Sequence, residues 1–574
     1  MNKKKLITKI PLLLSSVFIF SCDLGIGGGG GGEETKETPS YLIYESKLDT
    51  GTNEIFAIDP EKPGTAIPVD TEVTDKSVQI FLKSDFDGDK FKDIHNGYVV
   101  YIKNGRIYRA NLEKDETEPS PIVVSNEENA INICDTAAYT DFLNYSLSQY
   151  VYHLAGDDNT CGTKDDEWKM VKLGMNDEDF PKEFSKKPPV MPLYDREDGN
   201  IVGWLTLDKD RDNLYYCNED LKDCEKVKEI NKIKDVKTIK HLGSFEYEEP
   251  CETSKECNSD VFNKELLQIN DEAFLFVYDT SDTDNAFAMK VYEYKFLDKI
   301  KDEDGDTIGY EESFSKFEKN KVYFTDKGRI LVLEVKEIEK FTKNPQDYFK
   351  VVVDHGDIPI KQLFLTKDRI VYLAEDPDGR DYINSIKKNG DDGFVLIPAT
   401  PGFNRELSIQ MVSYDNNRVY YNVNEPDRNR TNAGYIKAND DDKSTLDEIE
   451  YARWSGGTFP TKVDAFYQPT WDRIILIELC KPDETCANNG AISTLDVDSN
   501  GDEKTLGVVP EDIVDHEDLD GFGPEQLGTG FKNNKKGEIF YMNIDEKESL
   551  KRVTNTPTID EKAVRTTNLP LISK

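Results

Sequence analysis

An acidic segment near residue 90 holds the side chains with the clearest potential for metal chemistry. Asp85, Asp87, Asp89 and Asp93 stand at positions 1, 3, 5 and 9 of this segment, and Gly88 permits a tight turn between them. Oxygen ligands at this spacing can converge on one hard cation, because calcium takes about six to eight oxygens from a compact loop. The segment predicts a calcium site, with a solvated acidic turn as the alternative.

The same segment is similar to the calcium loops of integrin-type propeller repeats, which read DxDGDGxxDL. Lys90 stands where those repeats usually carry a second glycine. The resemblance implies that the four aspartates named above are calcium ligands. Three weaker acidic segments, 302–306, 496–502 and 518–521, are predicted to be solvated turns.

The cysteines other than Cys22 predict structural disulfides. They fall into three close pairs and one wider pair: Cys217 with Cys224, Cys251 with Cys257, Cys480 with Cys486, and Cys134 with Cys161. Closing one short loop of this kind stabilises a fold by roughly 2 to 2.5 kcal/mol. The spacings do not fit zinc, CxxC redox or CxxCH haem sites, so we expect neither zinc nor haem.

Catalytic signatures are absent from the sequence. It contains no GxSxG, HExxH or P-loop motif and no GxGxxG opening a βαβ unit, so no catalytic residue and no nucleotide site is predicted. The five histidines are dispersed, and His153 lies in a strand-like run that favours a packed core position.

The first 32 residues have the composition of an export signal. A basic start, Met1 to Lys5, precedes an apolar run to Phe20, and Cys22 is followed by glycines at 27–32. A short cationic region, a short apolar region and small residues before a cut are the parts of a secretory signal. An ordinary secretory peptide is the alternative to the more specific interpretation that follows.

Residues 19–22 resemble the lipobox of bacterial lipoproteins, with Ile19 and Ser21 at its two selective positions. The resemblance implies a signal peptide at 1–21, cleavage before Cys22, and attachment of a diacylglyceryl group and acyl chains such as palmitate to that residue. Residues 22–40 would then form a flexible tether that reaches ~20 to 25 Å. The expected location is the cell envelope, anchored by lipid, at a periplasmic face or the outer surface.

Charge excludes one class of partner and composition supports a folded body. The chain has 112 acidic and 72 basic side chains, a formal net charge of -40, and 10% aromatic residues. This charge repels phosphate backbones, so nucleic-acid binding is not expected. The aromatic content suffices for a large core.

Short strand-like runs recur from residue 41 to residue 544, and one pattern repeats at a regular interval. A basic residue followed by an aromatic and aliphatic strand begins at Lys321, Arg369, Arg418 and Arg473, roughly 50 residues apart. Several strands per repeat of this length indicate a β-propeller. We therefore predict an all-β propeller of seven or eight blades with loop insertions over residues 41–574, with two stacked all-β domains as the alternative.

The segment from Gly537 to Asn555 resembles the repeat of TolB-like (WD40-like) propellers, in which an aromatic strand leads through a turn to a leucine-threonine-asparagine strand. Residues 41–59 have a similar hairpin pattern, so we expect the two chain ends to complete one blade together.

Two functions from different classes fit these features. The first is a non-enzymatic, lipid-anchored binding or scaffold protein for a protein or glycan partner in the envelope. The second is an envelope hydrolase or lyase acting on polysaccharide or peptide in the propeller channel. A structural component of an exported assembly is a third possibility. Fold alone does not decide among them.

Overall fold

The chain is built from β-strands. The computed structural model describes residues 41–563 with gaps, and describes side chains mainly within 41–81, 97–123, 150–155, 201–245, 263–335, 349–399, 405–424 and 436–439, together with Glu561. Among the described residues, no helix has the length and apolarity needed to span a bilayer.

The strands of the first half form successive antiparallel units, usually of four strands each. Unit 1 contains β1 (Leu42–Lys47), β2 (Asn53–Ile58) and β3 (Ala66–Val73); unit 2 contains β4 (Gln79–Asp87), β5 (Lys90–Lys103), β6 (Arg106–Asn111) and β7 (Ile122–Val123); unit 3 contains β8 (Ile133–Tyr139), β9 (Gln149–Leu154), β10 (Glu167–Lys172) and β11 (Lys182–Phe184); unit 4 contains β12 (Pro189–Tyr194), β13 (Ile201–Leu207), β14 (Leu214–Asn218) and β15 (Cys224–Lys226); unit 5 contains β16 (Lys228–Glu229), β17 (Ile239–Phe245), β18 (Phe262–Ile269), β19 (Glu272–Asp279) and β20 (Ala286–Glu293).

A separate hairpin of β21 (Lys299–Lys301) and β22 (Thr307–Tyr310) precedes the remaining units. Unit 6 contains β23 (Ser315–Glu318), β24 (Lys321–Asp326), β25 (Arg329–Glu334) and β26 (Phe349–Asp354); unit 7 contains β27 (Ile360–Leu365), β28 (Arg369–Glu375), β29 (Asp381–Lys387) and β30 (Phe394–Ile397); unit 8 contains β31 (Glu406–Val412), β32 (Arg418–Glu425), β33 (Arg430–Lys437) and β34 (Asp447–Glu448); unit 9 contains β35 (Lys462–Gln468), β36 (Arg473–Leu479), β37 (Ala491–Asp496) and β38 (Glu503–Val508); unit 10 contains β39 (Asp515–His516), β40 (Asp520–Gly523), β41 (Gln526–Asn533), β42 (Lys536–Asn543) and β43 (Lys551–Arg552).

The repeated basic residue marks the same place in four successive units. Lys321, Arg369, Arg418 and Arg473 are the first residues of β24, β28, β32 and β36, the second strands of units 6 to 9. The predicted repeat is therefore confirmed. The described strands pair into nine sheets, two of which have eight strands and span two units each, so the predicted number of seven or eight blades is not confirmed.

Apolar side chains lie between neighbouring units, as the central strand of unit 7 illustrates. Ile370 and Tyr372 share a buried cluster with Val353 of unit 6, whereas Val371 lies in a cluster with Tyr421 of unit 8. Successive residues of a strand point to opposite faces, so one strand contributes to two cores. Burial of each such side chain is worth roughly 1.5 to 3 kcal/mol.

The two ends of the described chain meet in unit 1. The last strand, β44 (Asp560–Ala563), pairs antiparallel with β1. The segment 537–553, expected to share a blade with residues 41–59, lies instead in unit 10 through β42 and β43. The strand beside β1 comes from farther along the chain, because a local strand pattern does not specify its pairing partner.

Candidate functional site

The predicted calcium segment forms the end of a β-hairpin. The strands β4 and β5 pair with Asp85 opposite Lys92 and Asp87 opposite Lys90. The side chains of Asp85, Asp87, Asp89 and Asp93 lie outside the described residues. The calcium site therefore stays a prediction.

The weaker acidic segment at 302–306 forms the turn of the β21–β22 hairpin. The Asp302 Oδ1 atom accepts a hydrogen bond of 2.8 Å from the Asp306 backbone N–H, and the Gly305 N–H donates to the Asp302 carbonyl over 3.1 Å. The carboxylate of Asp302 thus closes a turn, as aspartate commonly does. The side chains of 496–502 and 518–521 lie outside the described residues.

One predicted cysteine pair is present as a disulfide. Cys217 and Cys224 are bonded, lie directly opposite each other on β14 and β15, and have their Cα atoms 4.0 Å apart. The bond therefore fixes the edge strand of unit 4. The remaining predicted cysteine side chains lie outside the described residues: Cys22, Cys134, Cys161, Cys251, Cys257, Cys480 and Cys486.

The buried carboxylate of Glu265 in unit 5 contacts three polar side chains. His241 Nε2 lies 2.7 Å from Glu265 Oε2, Ser244 Oγ donates to the same oxygen, and the Tyr278 hydroxyl donates to Oε1 over 3.3 Å. A nucleophilic serine donates its proton to an imidazole. Here the serine hydroxyl donates to the carboxylate, so the cluster joins three neighbouring strands rather than forming a hydrolytic triad. No sequence motif indicates this cluster, because a bulge between His241 and Gly243 sets its geometry.

A second polar chain lies between units 6 and 7. Asn384 Nδ2 donates to the Tyr372 hydroxyl over 2.9 Å, and that hydroxyl lies 2.9 Å from His355 Nε2. Burial lowers the pKa of His355 below its ordinary value, with Asp354 opposing the effect, and burial raises the pKa of Tyr372 to about 12. At neutral pH, the phenol therefore keeps its proton and can donate it to the neutral imidazole.

A charged cluster joins units 6, 7 and 8. Lys388 Nζ lies 2.7 Å from both carboxylate oxygens of Glu318 and donates to the Lys367 carbonyl over 2.8 Å. The Tyr414 hydroxyl donates to the same carboxylate. Burial lowers the pKa of Lys388, although the Glu318 carboxylate opposes the shift. The cluster fixes three consecutive turns relative to one another.

Units 7 and 8 are also joined by side chains that bond to backbone groups. Gln362 accepts from the Ile409 N–H over 2.6 Å and donates to the Ile409 carbonyl over 3.2 Å. Asp381 accepts from the Leu407 N–H over 3.0 Å while it pairs with Lys361 at 2.8 Å. These side-chain bonds connect strands of two different sheets. Sequence periodicity alone could not reveal them.

The arrangement of these clusters fits a rigid support for surface turns. In the part of the chain that the structure describes, no three histidine, cysteine or carboxylate side chains converge on a possible metal position. The described polar clusters make contacts within and between units. The contacts between units connect the turns of neighbouring units to one another.

No model of a known protein family matches the chain, and no curated protein sequence matches it. Solved structures match it distantly. The WD40 domain of SCAP from fission yeast is 9% identical with a TM-score of 0.32, and the match covers 72% of this chain and 96% of that domain.

Two further matches are enzymes by their names. Oligopeptidase B from Leishmania major is 10% identical with a TM-score of 0.33; the match covers 74% of this chain and 53% of that protein, so this chain spans about half its length. An oligogalacturonate lyase in complex with manganese is 10% identical with a TM-score of 0.30, over 51% of this chain and 74% of the lyase. The chain is thus an all-β protein of repeated four-stranded antiparallel sheets, distantly similar to β-propeller proteins.

Proposed function

We propose that this chain is a lipid-anchored propeller of the cell envelope that binds or scaffolds a protein or glycan partner without catalysing a reaction. The lipobox-like segment ending at Cys22 carries the proposal, because a lipid on that cysteine would anchor the residues that follow it at a membrane. A protein held at a membrane surface meets its partner at raised local concentration.

The inter-unit contacts support a scaffold. Ionisable groups such as the partly buried Glu318 and the buried Asp381 are bonded to neighbouring units. Side chains so engaged hold the turns of several units in one arrangement, which reduces the ordering cost of binding.

The anchor is tested by fractionating cells that express the full chain or its Cys22→Ser variant. We expect the full chain in the membrane fraction with a labelled fatty acid attached, and the variant without that label. Equal labelling of both would contradict the anchor.

The partner is tested by crosslinking the lipidated protein in cells and identifying attached molecules by mass spectrometry. One abundant protein or glycan joined to turns on one side of the propeller would support a binding role. Recovery of the chain alone, under conditions that crosslink a known envelope complex, would contradict it.

The predicted calcium site is part of the proposal and has a separate test. We expect the protein to melt several degrees lower in chelator than in calcium, because a ligand that binds only the folded state stabilises it. Asp87→Ala should remove most of this difference, and Asp498→Ala, in the acidic segment predicted to be a solvated turn, should retain it. Identical melting of the parent protein in calcium and chelator would exclude the site.

A further inference from the structure

The first strands of neighbouring units meet on one side of the fold. The strands β17, β23, β27 and β31 lie at the edges of the sheets of units 5 to 8, and each contacts the next in order. Among the described strands, β23 pairs with β24 alone and β27 with β28 alone. We call the unpaired sides of β23 and β27 the inner edge. The unpaired side of a strand presents backbone N–H and C=O groups that have no partner in the sheet.

The side chain of Lys316 in β23 reaches the inner edge. Its neighbour Phe317 packs against the apolar cluster between units 5 and 6, so Lys316 points to the opposite face, toward unit 7. Phe364 of β27 packs against the cluster between units 7 and 8. The Lys316 Nζ atom lies 4.9 Å from the centroid of the Phe364 ring. The ammonium and the ring therefore meet beside the inner edge of β27, because that strand lies between their two faces.

Lys316 lacks the acidic partner that other lysines of the first strands have. Lys240 Nζ of β17 lies 2.8 Å from Glu312 Oε2, and Lys361 Nζ of β27 lies 2.8 Å from Asp381 Oδ1. In the part of the chain that the structure describes, no carboxylate pairs with Lys316. The chain has 112 acidic side chains and 72 basic ones, so a shortage of carboxylates does not explain this difference.

The Lys316 ammonium is held in place without a counter-ion. The residue is partly buried, and burial lowers the pKa of its amine. The ring of Phe364 attracts the positive charge, but it supplies no oxygen that accepts from the three N–H donors of an ammonium. A partly buried charge without a counter-ion carries a desolvation cost, and an anion bound beside it would reduce that cost.

Charge restricts the kind of anion that fits this position. The chain has a formal net charge of -40, which repels an anion more strongly as the charge of that anion increases. One ammonium compensates one negative charge. A carboxylate has a single charge and two acceptor oxygens, so it can accept from the ammonium and from a backbone N–H of the inner edge together.

We propose that Lys316, beside the Phe364 ring and the inner edge of β27, binds the carboxylate of a small organic acid. The same group occurs in sugar acids and in acylated amino acids, and one probe of each kind distinguishes the two sources. This proposal is independent of the lipid anchor and of any envelope partner.

The site is tested by labelling the amines of the full-length chain with an N-hydroxysuccinimide ester and measuring the labelling rate of each lysine by peptide mass spectrometry. The probes are D-glucuronate and N-acetylalanine, with phosphate at equal ionic strength for comparison. A bound carboxylate should slow the labelling of Lys316 by about ten-fold when the probe concentration is ten times its Kd. Lys240, which already pairs with Glu312, is the control within the same sample and should keep its rate.

A matched pair of variants gives a second readout, the broadening of the proton NMR signals of each probe on addition of protein. Lys316→Gln should abolish the broadening, and Lys240→Gln should retain it. Protection by one probe alone supports the site and identifies the source of the carboxylate. The proposal would be overturned if neither probe slowed the labelling of Lys316, if phosphate slowed it as much, or if the two variants bound the probes equally. Where Lys316→Gln does not fold, the labelling of the parent chain decides.

Discussion

The contacts between units 7 and 8 and the pairing of β1 with β44 both join separate parts of the fold, and they do so with different chemistry. Between units 7 and 8, Gln362 bonds to both backbone groups of Ile409, and Ser385 Oγ donates to the Ala438 carbonyl over 2.6 Å. The pairing of β1 with β44 instead extends over four residue pairs and includes the buried Glu561.

The difference lies in how strongly each kind of contact resists opening. A buried donor or acceptor that loses its partner costs about 1 to 3 kcal/mol, so contacts such as that of Gln362 resist opening. Cross-strand side-chain pairs contribute about 0.2 to 1 kcal/mol each. Contacts between consecutive units should therefore open less readily than the four-residue pairing of β1 with β44.

The largest loss of stability is expected for Asp326→Ala, at the boundary of units 5 and 6. Asp326 is 0% exposed and accepts from the Tyr292 hydroxyl at 2.8 Å and from the backbone N–H groups of Lys295 and Phe296 at 2.9 Å. Its removal leaves buried donors unpaired, so we expect a loss of about 3 to 5 kcal/mol, measured by urea unfolding.

Two variants provide the comparison for Asp326→Ala. Asp354→Ala removes a carboxylate whose side chain is 58% exposed and should cost under ~1 kcal/mol. Glu561→Ala removes the buried carboxylate of β44 and should cost less than Asp326→Ala. A loss at Asp326 no larger than at Asp354 would show that the contacts between units are not the stronger class.

A smaller effect is expected at the contact between units 7 and 8. Gln362→Ala removes both bonds to Ile409 and should lower the free energy of unfolding by about 1 to 2 kcal/mol. Gln410→Ala is the matched control, because Gln410 is exposed and donates to the neighbouring Ser408 hydroxyl; its change should stay within about 0.5 kcal/mol. Equal urea midpoints for the two variants would remove Gln362 from the set of strong contacts.

The sequence predicted the positions of the strands better than it predicted which strands pair with each other. The residues Arg369 and Arg418 correctly marked the second strands of their units, because strand periodicity and turn residues are local signals. The predicted blade number was not confirmed, and residues 537–553 pair within unit 10 while β44 pairs with β1, which local patterns do not specify because strand pairing depends on residues far apart in the chain.

The polar clusters could not be predicted for a related reason. Gln362 and Ile409 are 47 residues apart, and Glu318 and Tyr414 are 96 apart. Each is an ordinary polar or apolar residue in its local pattern. Only the stacking of one unit on the next brings a side chain to a backbone group that needs a partner. By contrast, the pair Cys217 and Cys224 is close in sequence, and its bond was predictable.

The smallest effect concerns pH and the contact between units 6 and 7. Burial lowers the pKa of His355 from its ordinary value of 6.5, so the unfolded chain binds a proton more readily than the folded one. The stabilising contribution is therefore fully present above about pH 6.5 and is lost as the pH falls toward the lower pKa of the folded state.

His355→Gln lacks this titration while it keeps a group that can accept from the Tyr372 hydroxyl. We expect the difference in melting temperature between parent and variant to be constant from pH 8 to about pH 7 and to shift against the parent below about pH 6.5. Asn384→Ala should lower the melting temperature at every pH, since it removes an uncharged donor to Tyr372. A parent and a His355→Gln variant that respond identically to acid would show that protonation of this histidine is not coupled to folding.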